Sequence, residues 1–333
     1  LEARFVNPGS GKDGEQQHGQ YPAAPEPFVA EAADGYPIRG FIWRLADEAS
    51  TDRPVTIINS ATSVRCRYYS RFAAFLFANG MDVITYDYRG IGESRPATLR
   101  GFGAGWIDWG ALDFEAVLRH AERAYSDRSI HVVGHSVGGV MIGLARSNHL
   151  VRRAFTVGAQ YAYWPDYASA KRLRMTAKWH IAMPALTLLF GYFPGKSLGW
   201  LEDTPKGVVR DWALSRSRFE DTWRGSSARR YPPKPELVQR FAALTAPMLS
   251  VSLSDDEFGT IPAVQRLLSY FSGSPRILIE IKPESIAEQA IGHFGFFNSR
   301  YEKTLWPTAI EWLKCGRLSA NFSDMVKLRL AAI

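Results

Sequence analysis

The stretch Ile130-His131-Val132-Val133-Gly134-His135-Ser136-Val137-Gly138 constrains this chain more than any other. Its apolar start reads as a buried strand, and Val137, Val140, Met141 and Leu144 follow at once at helical spacing. No loop separates the two, so the backbone must pass from strand to helix at Ser136. Side chains beside so tight a turn would clash, and glycine at 134 and 138 removes them. The turn lifts the Ser136 hydroxyl above the strand end, at the positive end of a helix. A serine nucleophile needs this strand–turn–helix setting.

The flanking sequence repeats the same alternation. Phe28–Ala30 and Ile38–Ile42 bracket the turn dipeptide Asp34-Gly35 and read as an antiparallel hairpin. Val55–Ile58, Val83–Tyr86, Ile130–Val133, Ala154–Val157, Met248–Leu253 and Arg276–Ile281 read as strands. Helices are expected with Tyr69, Phe72, Ala73 and Leu76, from an Asp108 N-cap to about Ala124, with Val264, Leu267, Leu268 and Phe271, and from Glu302 to Lys314. This pattern predicts an α/β class fold: a mostly parallel central sheet with helices on both faces. The core is assigned to residues 28–160 and 246–316. Residues 1–27, whose Pro8 to Pro27 part is rich in Gly, Gln and Pro, read as a mobile arm, and 317–333 as a C-terminal tail. Residues 161–245 break the alternation. They hold Tyr161, Tyr163, Trp164, Trp179, Tyr192, Trp200, Trp212 and Trp223 without a clear strand, and read as a helical lid insertion over the sheet.

A serine hydroxyl becomes nucleophilic only when a base takes its proton, and that base needs an acid to orient it. On this kind of sheet the chain order is Ser, then Asp or Glu, then His. Seven histidines are present, and only His149, His180 and His293 follow the elbow. His149 ends the helix that Ser136 begins, about 20 Å away at a rise of ~1.5 Å per residue. His180 precedes the returning strands. His293, in Ile291-Gly292-His293-Phe294-Gly295, follows both of them and is the candidate base. The acid belongs just past the strand ending at Leu253, where Asp255, Asp256 and Glu257 crowd together. Asp256 is the assignment, because it leaves a short loop before Thr260, which can cap the helix that Pro262 helps start. Asp255 is the alternative, and Glu280 a weaker one. The developing oxyanion needs donors. The backbone N–H groups of Val137 and of Ala61, in Asn59-Ser60-Ala61-Thr62, are the candidates.

Taken together, these residues resemble the α/β-hydrolase superfamily from about Phe28 to Lys314. Asp87-Tyr88-Arg89-Gly90-Ile91-Gly92-Glu93-Ser94 is similar to the D-x-R-G-x-G-x-S segment of lipase, lysophospholipase and esterase members. Within the superfamily the chain looks most like bacterial hydrolases with a helical lid, on Tyr192–Lys196 and Pro205–Val209. It departs from the family at Asn59-Ser60, where His-Gly is usual. The resemblance implies an α/β-hydrolase fold and a serine hydrolase.

Composition narrows the remaining classes. The net charge of +7 comes from scattered basic residues without a nucleic-acid-type block. Cys66 and Cys315 form neither a disulfide framework nor zinc-ligand spacing, and they read as reduced thiols in a cytoplasmic protein. Gly191–Ser197 imitates a phosphate loop but is one residue short and carries Pro194. No cofactor or metal is therefore expected. No run is long enough to span a bilayer. Ile181–Phe193 is apolar, and is read as a buried lid helix with peripheral membrane contact as the alternative. The expected chemistry is cleavage of a carboxylic ester or thioester with a hydrophobic part through an acyl-serine. Acyl transfer, amide or C–C hydrolysis, and non-catalytic ligand binding remain open on the same scaffold. The expected partner is a small hydrophobic substrate.

Overall fold

The computed structural model describes residues 24–45, 53–222 and 233–332. The arm assigned to residues 1–27 therefore falls mostly outside the described residues, as does Trp223. Nine strands form one sheet: β1 (Glu26–Glu31), β2 (Pro37–Trp43), β3 (Val55–Asn59), β4 (Asp82–Tyr86), β5 (Ile130–His135), β6 (Val151–Val157), β7 (Met248–Leu253), β8 (Arg276–Ile281) and β9 (Val326–Leu330). Their order is β1-β2-β4-β3-β5-β6-β7-β8-β9. The six strands from β4 to β8 are parallel, while β1, β2 and β9 run antiparallel at the edges. Every residue of β3, β4, β5 and β7 is buried, as continuous apolar runs covered on both faces should be.

Two apolar layers provide that cover. Trp106, Trp109, Val117, Val140 and Leu144 pack on one face, and Phe72, Leu76, Trp306 and Trp312 on the other. The hairpin turns where expected, with Gly35 at φ 78°. Such a left-handed backbone suits glycine.

Three boundaries differ from the sequence reading. The helix assigned to an Asp108 cap begins instead at Trp106. Asp108 sits inside its first turn, and its carboxylate reaches back to accept the Gly105 N–H at 2.8 Å. An acid is useful at either place, because both satisfy an orphan N–H of the first turn. The last helix runs Trp306–Cys315, after a separate short turn over Ser299–Tyr301. The stretch read as a tail supplies edge strand β9, whose Lys327 pairs with Glu280 of β8 at 3.0 Å. Between β6 and β7 the described residues form helices joined by turns, with a long helix over 172–190 and further helices at Lys206–Ala213 and Lys234–Ala243. The β-pairing of this stretch, among the described residues, is the single bridge between Phe193 and Thr204.

Candidate active site

Ser136 stands between β5 and the helix Val137–Leu144 with φ 54° and ψ −122°. A non-glycine residue there is strained and must be held by its surroundings. The hold is close-range. Ser136 N–H donates to the Val157 carbonyl at 3.0 Å. A Cβ on Gly138 would lie 2.2 Å from the Asn59 carbonyl oxygen, and one on Gly134 would lie 2.8 Å from the Gly139 nitrogen. The elbow is thus wedged against β3 at a spacing that only glycine permits. Val137 is the first helical residue, among the N–H groups that a helix cannot satisfy internally.

His293 reaches the same place from the other end of the chain. Its Nδ1 lies 2.7 Å from Asp256 Oδ2, and both side chains are buried. Asp256 Oδ1 accepts the N–H groups of Phe258 and Gly259, each at 2.8 Å, which fixes the carboxylate plane. Asp255 faces elsewhere: its Oδ2 accepts the N–H groups of Ile291 and Gly292 at 2.8 and 2.9 Å. The adjacent acids therefore hold one loop by different atoms, Asp256 by the imidazole and Asp255 by the backbone ahead of it. Glu280 is engaged by Lys327 instead. Glycine is again required beside the pair. Gly158 has φ 55°, and a Cβ there would stand 2.7 Å from Asp256 Oδ2 and 3.1 Å from His293 Nδ1.

The turn after β3 differs from the sequence expectation. The Ala61 N–H, assigned to the oxyanion, donates to the Tyr69 hydroxyl at 2.9 Å. Tyr69 in turn lies 2.7 Å from His135 Nδ1, and His135 Nε2 lies 2.9 Å from the His293 carbonyl oxygen. A carbonyl only accepts, so Nε2 carries the hydrogen and Nδ1 accepts from the Tyr69 hydroxyl. His135 is therefore a neutral imidazole. Burial, and then the neighbouring His293, push its pKa well below the usual histidine range, in keeping with that tautomer. The chain of bonds from Ala61 through Tyr69 and His135 to His293 ties the β3 turn to the histidine loop. In the sequence Tyr69 reads only as a helix-packing residue and His135 only as part of the elbow. The sequence signal was the imidazole inside Gly134–Gly138, a costly group to bury without partners.

Ser136, Val137, Ala61, Thr62 and His293 line one cavity of about 20 Å³. Trp106, Trp179, Trp212, Phe258 and Phe294 form most of its apolar wall. Trp179 and Trp212 stack at 5.0 Å between ring centres. Gln160, which the sequence reading did not single out, donates from Nε2 to Ser136 Oγ at 3.3 Å and accepts the Ala162 N–H. His180 lies apart, bonded to the Tyr167 hydroxyl and the Ala213 carbonyl, each at 3.0 Å.

The Asp87–Ser94 segment is structural. Asp87 accepts the N–H groups of Cys66 and Glu93 at 2.6 and 2.9 Å, and Arg89 joins Asp113 and Asp34, each at 2.6 Å.

A family model described as "Alpha/beta hydrolase family" matches residues 60–299. No curated protein sequence matches the chain significantly. Among solved structures, the Pyrococcus furiosus esterase is similar at 13% identity and TM-score 0.55, over 91% of this chain and 94% of that one. An esterase from Exiguobacterium antarcticum is similar at 15% identity and TM-score 0.52, over 86% and 98%. Puromycin hydrolase is similar at 16% identity and TM-score 0.54, over 90% of this chain and 40% of its own. This chain thus spans well under half the length of puromycin hydrolase. At these identities the likeness is one of fold.

Proposed function

Since the chain belongs to the alpha/beta hydrolase family, we propose that it is a serine hydrolase acting on a carboxylic ester or thioester with a hydrophobic part. The observation that carries this reading is the buried His293–Asp256 contact of 2.7 Å on a cavity that Ser136 also lines. In the proposed reaction Ser136 Oγ attacks the carbonyl carbon while His293 Nε2 takes its proton. Asp256 holds Nδ1–H and stabilises the imidazolium. The tetrahedral oxyanion is received by the Val137 N–H and by the turn at Ala61 and Thr62. Because the Ala61 N–H is engaged by Tyr69, we assign the second donor to the Thr62 N–H. His293 then returns the proton to the leaving alcohol or thiol. Water, deprotonated by the same imidazole, releases the acid and restores Ser136. The Trp and Phe walls favour an apolar acyl or aryl part.

A fluorophosphonate probe with peptide mapping tests the nucleophile directly. Labelling is expected at Ser136, and Ser136→Ala should lose at least ~10⁴-fold in turnover of short p-nitrophenyl esters. Retained turnover in that folded variant, or labelling elsewhere, would overturn the reading.

A further inference from the structure

The helix over 172–190 has two apolar faces, and only one of them is covered among the described residues. Met175, Trp179, Met183 and Thr187, four apart, are buried. The spacing of four fits the wide turn that the helix takes over Ala177–Ala182. The opposite face carries Leu173, Ala177, Ile181, Ala185, Leu188 and Leu189, all exposed. Leu173, Leu188 and Leu189 are 85%, 88% and 75% exposed, and Ile181 65%. Single exposed leucines need no explanation, but a continuous stripe along one helix marks a contact surface.

Charge identifies the partner. Residues 167–201 contain Lys171, Arg172, Arg174, Lys178 and Lys196, and no Asp or Glu, and of these Lys171 is already paired with Glu257 at 3.2 Å. Arg174 and Lys196 are exposed and make no ion pair among the described residues. Lys178 lies over the Trp179 and Trp200 rings at 4.6 and 4.2 Å. An apolar stripe flanked by cations fits the plane of an anionic lipid surface, where the leucines enter the acyl boundary and the cations meet headgroup phosphates. A two-fold contact with a second copy would offer the same acid-free segment to these cations. We propose that the exposed face of helix 172–190 docks on anionic membrane. The helix is amphiphilic in an unusual sense: its inner face carries Trp179, a wall of the active-site cavity. Docking would lay the helix that carries this wall on the lipid surface, the source of an apolar substrate. The docking itself does not depend on the triad.

The test is flotation of the full chain with vesicles of pure phosphatidylcholine and of equal parts phosphatidylcholine and phosphatidylglycerol. Binding is expected to the mixed vesicles only, and to weaken as salt rises. Leu173→Ser with Leu188→Ser should weaken it by about 100-fold. Arg174→Glu should weaken it at least about 5-fold. Both variants should hydrolyse a water-soluble ester as the unaltered chain does. Ser136→Ala should bind vesicles normally, so loss of the proposed chemistry would leave this result readable. The proposal falls if the unaltered chain ignores the mixed vesicles or if the leucine variant binds them equally. It also falls if the stripe proves to hold a dimer that the leucine variant splits and that does not float.

Discussion

The elbow at Ser136 and the loop at His293 meet at one cavity, yet they are held there differently. The elbow is fixed by backbone contact: a strained φ of 54°, glycines without room for a Cβ, and the adjoining strands β3 and β6. The histidine loop is anchored by side chains instead: Ile291, Phe296 and Phe297 pack it into the core. What aims the imidazole within that anchor is a set of separate polar contacts from distant parts of the chain. Asp256 holds the imidazole, Asp255 two backbone N–H groups, His135 the His293 carbonyl, and Tyr68 the Phe294 carbonyl at 2.7 Å. An element held by packing should fail through stability, whereas one aimed by hydrogen bonds should fail through alignment while the fold survives.

The largest expected effect separates the two acids of the loop. Asp256→Asn should lower kcat for p-nitrophenyl esters by about 10⁴-fold, because the amide no longer stabilises the imidazolium or fixes its tautomer. Asp255→Asn should cost far less, since it disturbs the backbone ahead of His293 and leaves the imidazole's partner in place. Steady-state kinetics of both variants check this; equal losses would show that the two acids share one role.

Gly138→Ala probes the elbow. A methyl carbon 2.2 Å from the Asn59 oxygen must displace β3 or the helix. A stability loss of about 2–4 kcal/mol is expected by denaturant unfolding, as for other overpacked or strained core sites. A variant as stable as the parent would show that the elbow can yield.

Tyr69→Phe tests the bridge between the two regions. It strips a partner from the Ala61 N–H and from His135 Nδ1, each buried. A loss of ~1–3 kcal/mol is expected. If the bridge positions the site, kcat should fall by about 10-fold or more beyond the change in folded fraction, with KM little altered. A purely structural role would lower the melting temperature alone.

The smallest effect concerns pH. Burial, followed by the Arg153 charge, lowers the His131 pKa to about 4, and His135 is likewise depressed by burial. Both are neutral in the fold, whereas the unfolded chain protonates them below about 6.5. Their contribution is therefore full above that value and is lost as pH falls below it, for His131 down to about 4. Each group contributes a slope of at most ~1.4 kcal/mol per pH unit. Melting temperature followed from pH 7 downward should show this fall, and His131→Gln should flatten it; an unchanged slope in the variant would remove His131 as its source.

The helix 172–190 shows where sequence periodicity stops being informative. Ile181–Phe193 is apolar on every side, so a pattern of apolar residues could not tell its buried stripe from its exposed one. The C-terminal stretch is a different case. Val326-Lys327-Leu328-Arg329-Leu330 alternates as a strand should, but what makes it a strand is the open edge of β8, which lies far from it in sequence.

What the amino-acid sequence determined by itself was local: strands that read as apolar runs, helices with one apolar face, and a glycine-flanked serine forced to turn between them. Those features depend on neighbours in the chain, and steric exclusion at Gly134 and Gly138 acts over a few residues. Chain order also isolated His293 from the other histidines. Tertiary structure decided everything that depends on direction. It gave Asp256 the imidazole and Asp255 the backbone, turned the Ala61 N–H toward Tyr69, brought Gln160 to Ser136, and oriented His135 toward the His293 carbonyl. Hydrogen bonds are directional and short, so a residue's type permits many partners. Only the packed sheet, which brings the ends of β3, β5, β6 and β7 together, selects among them.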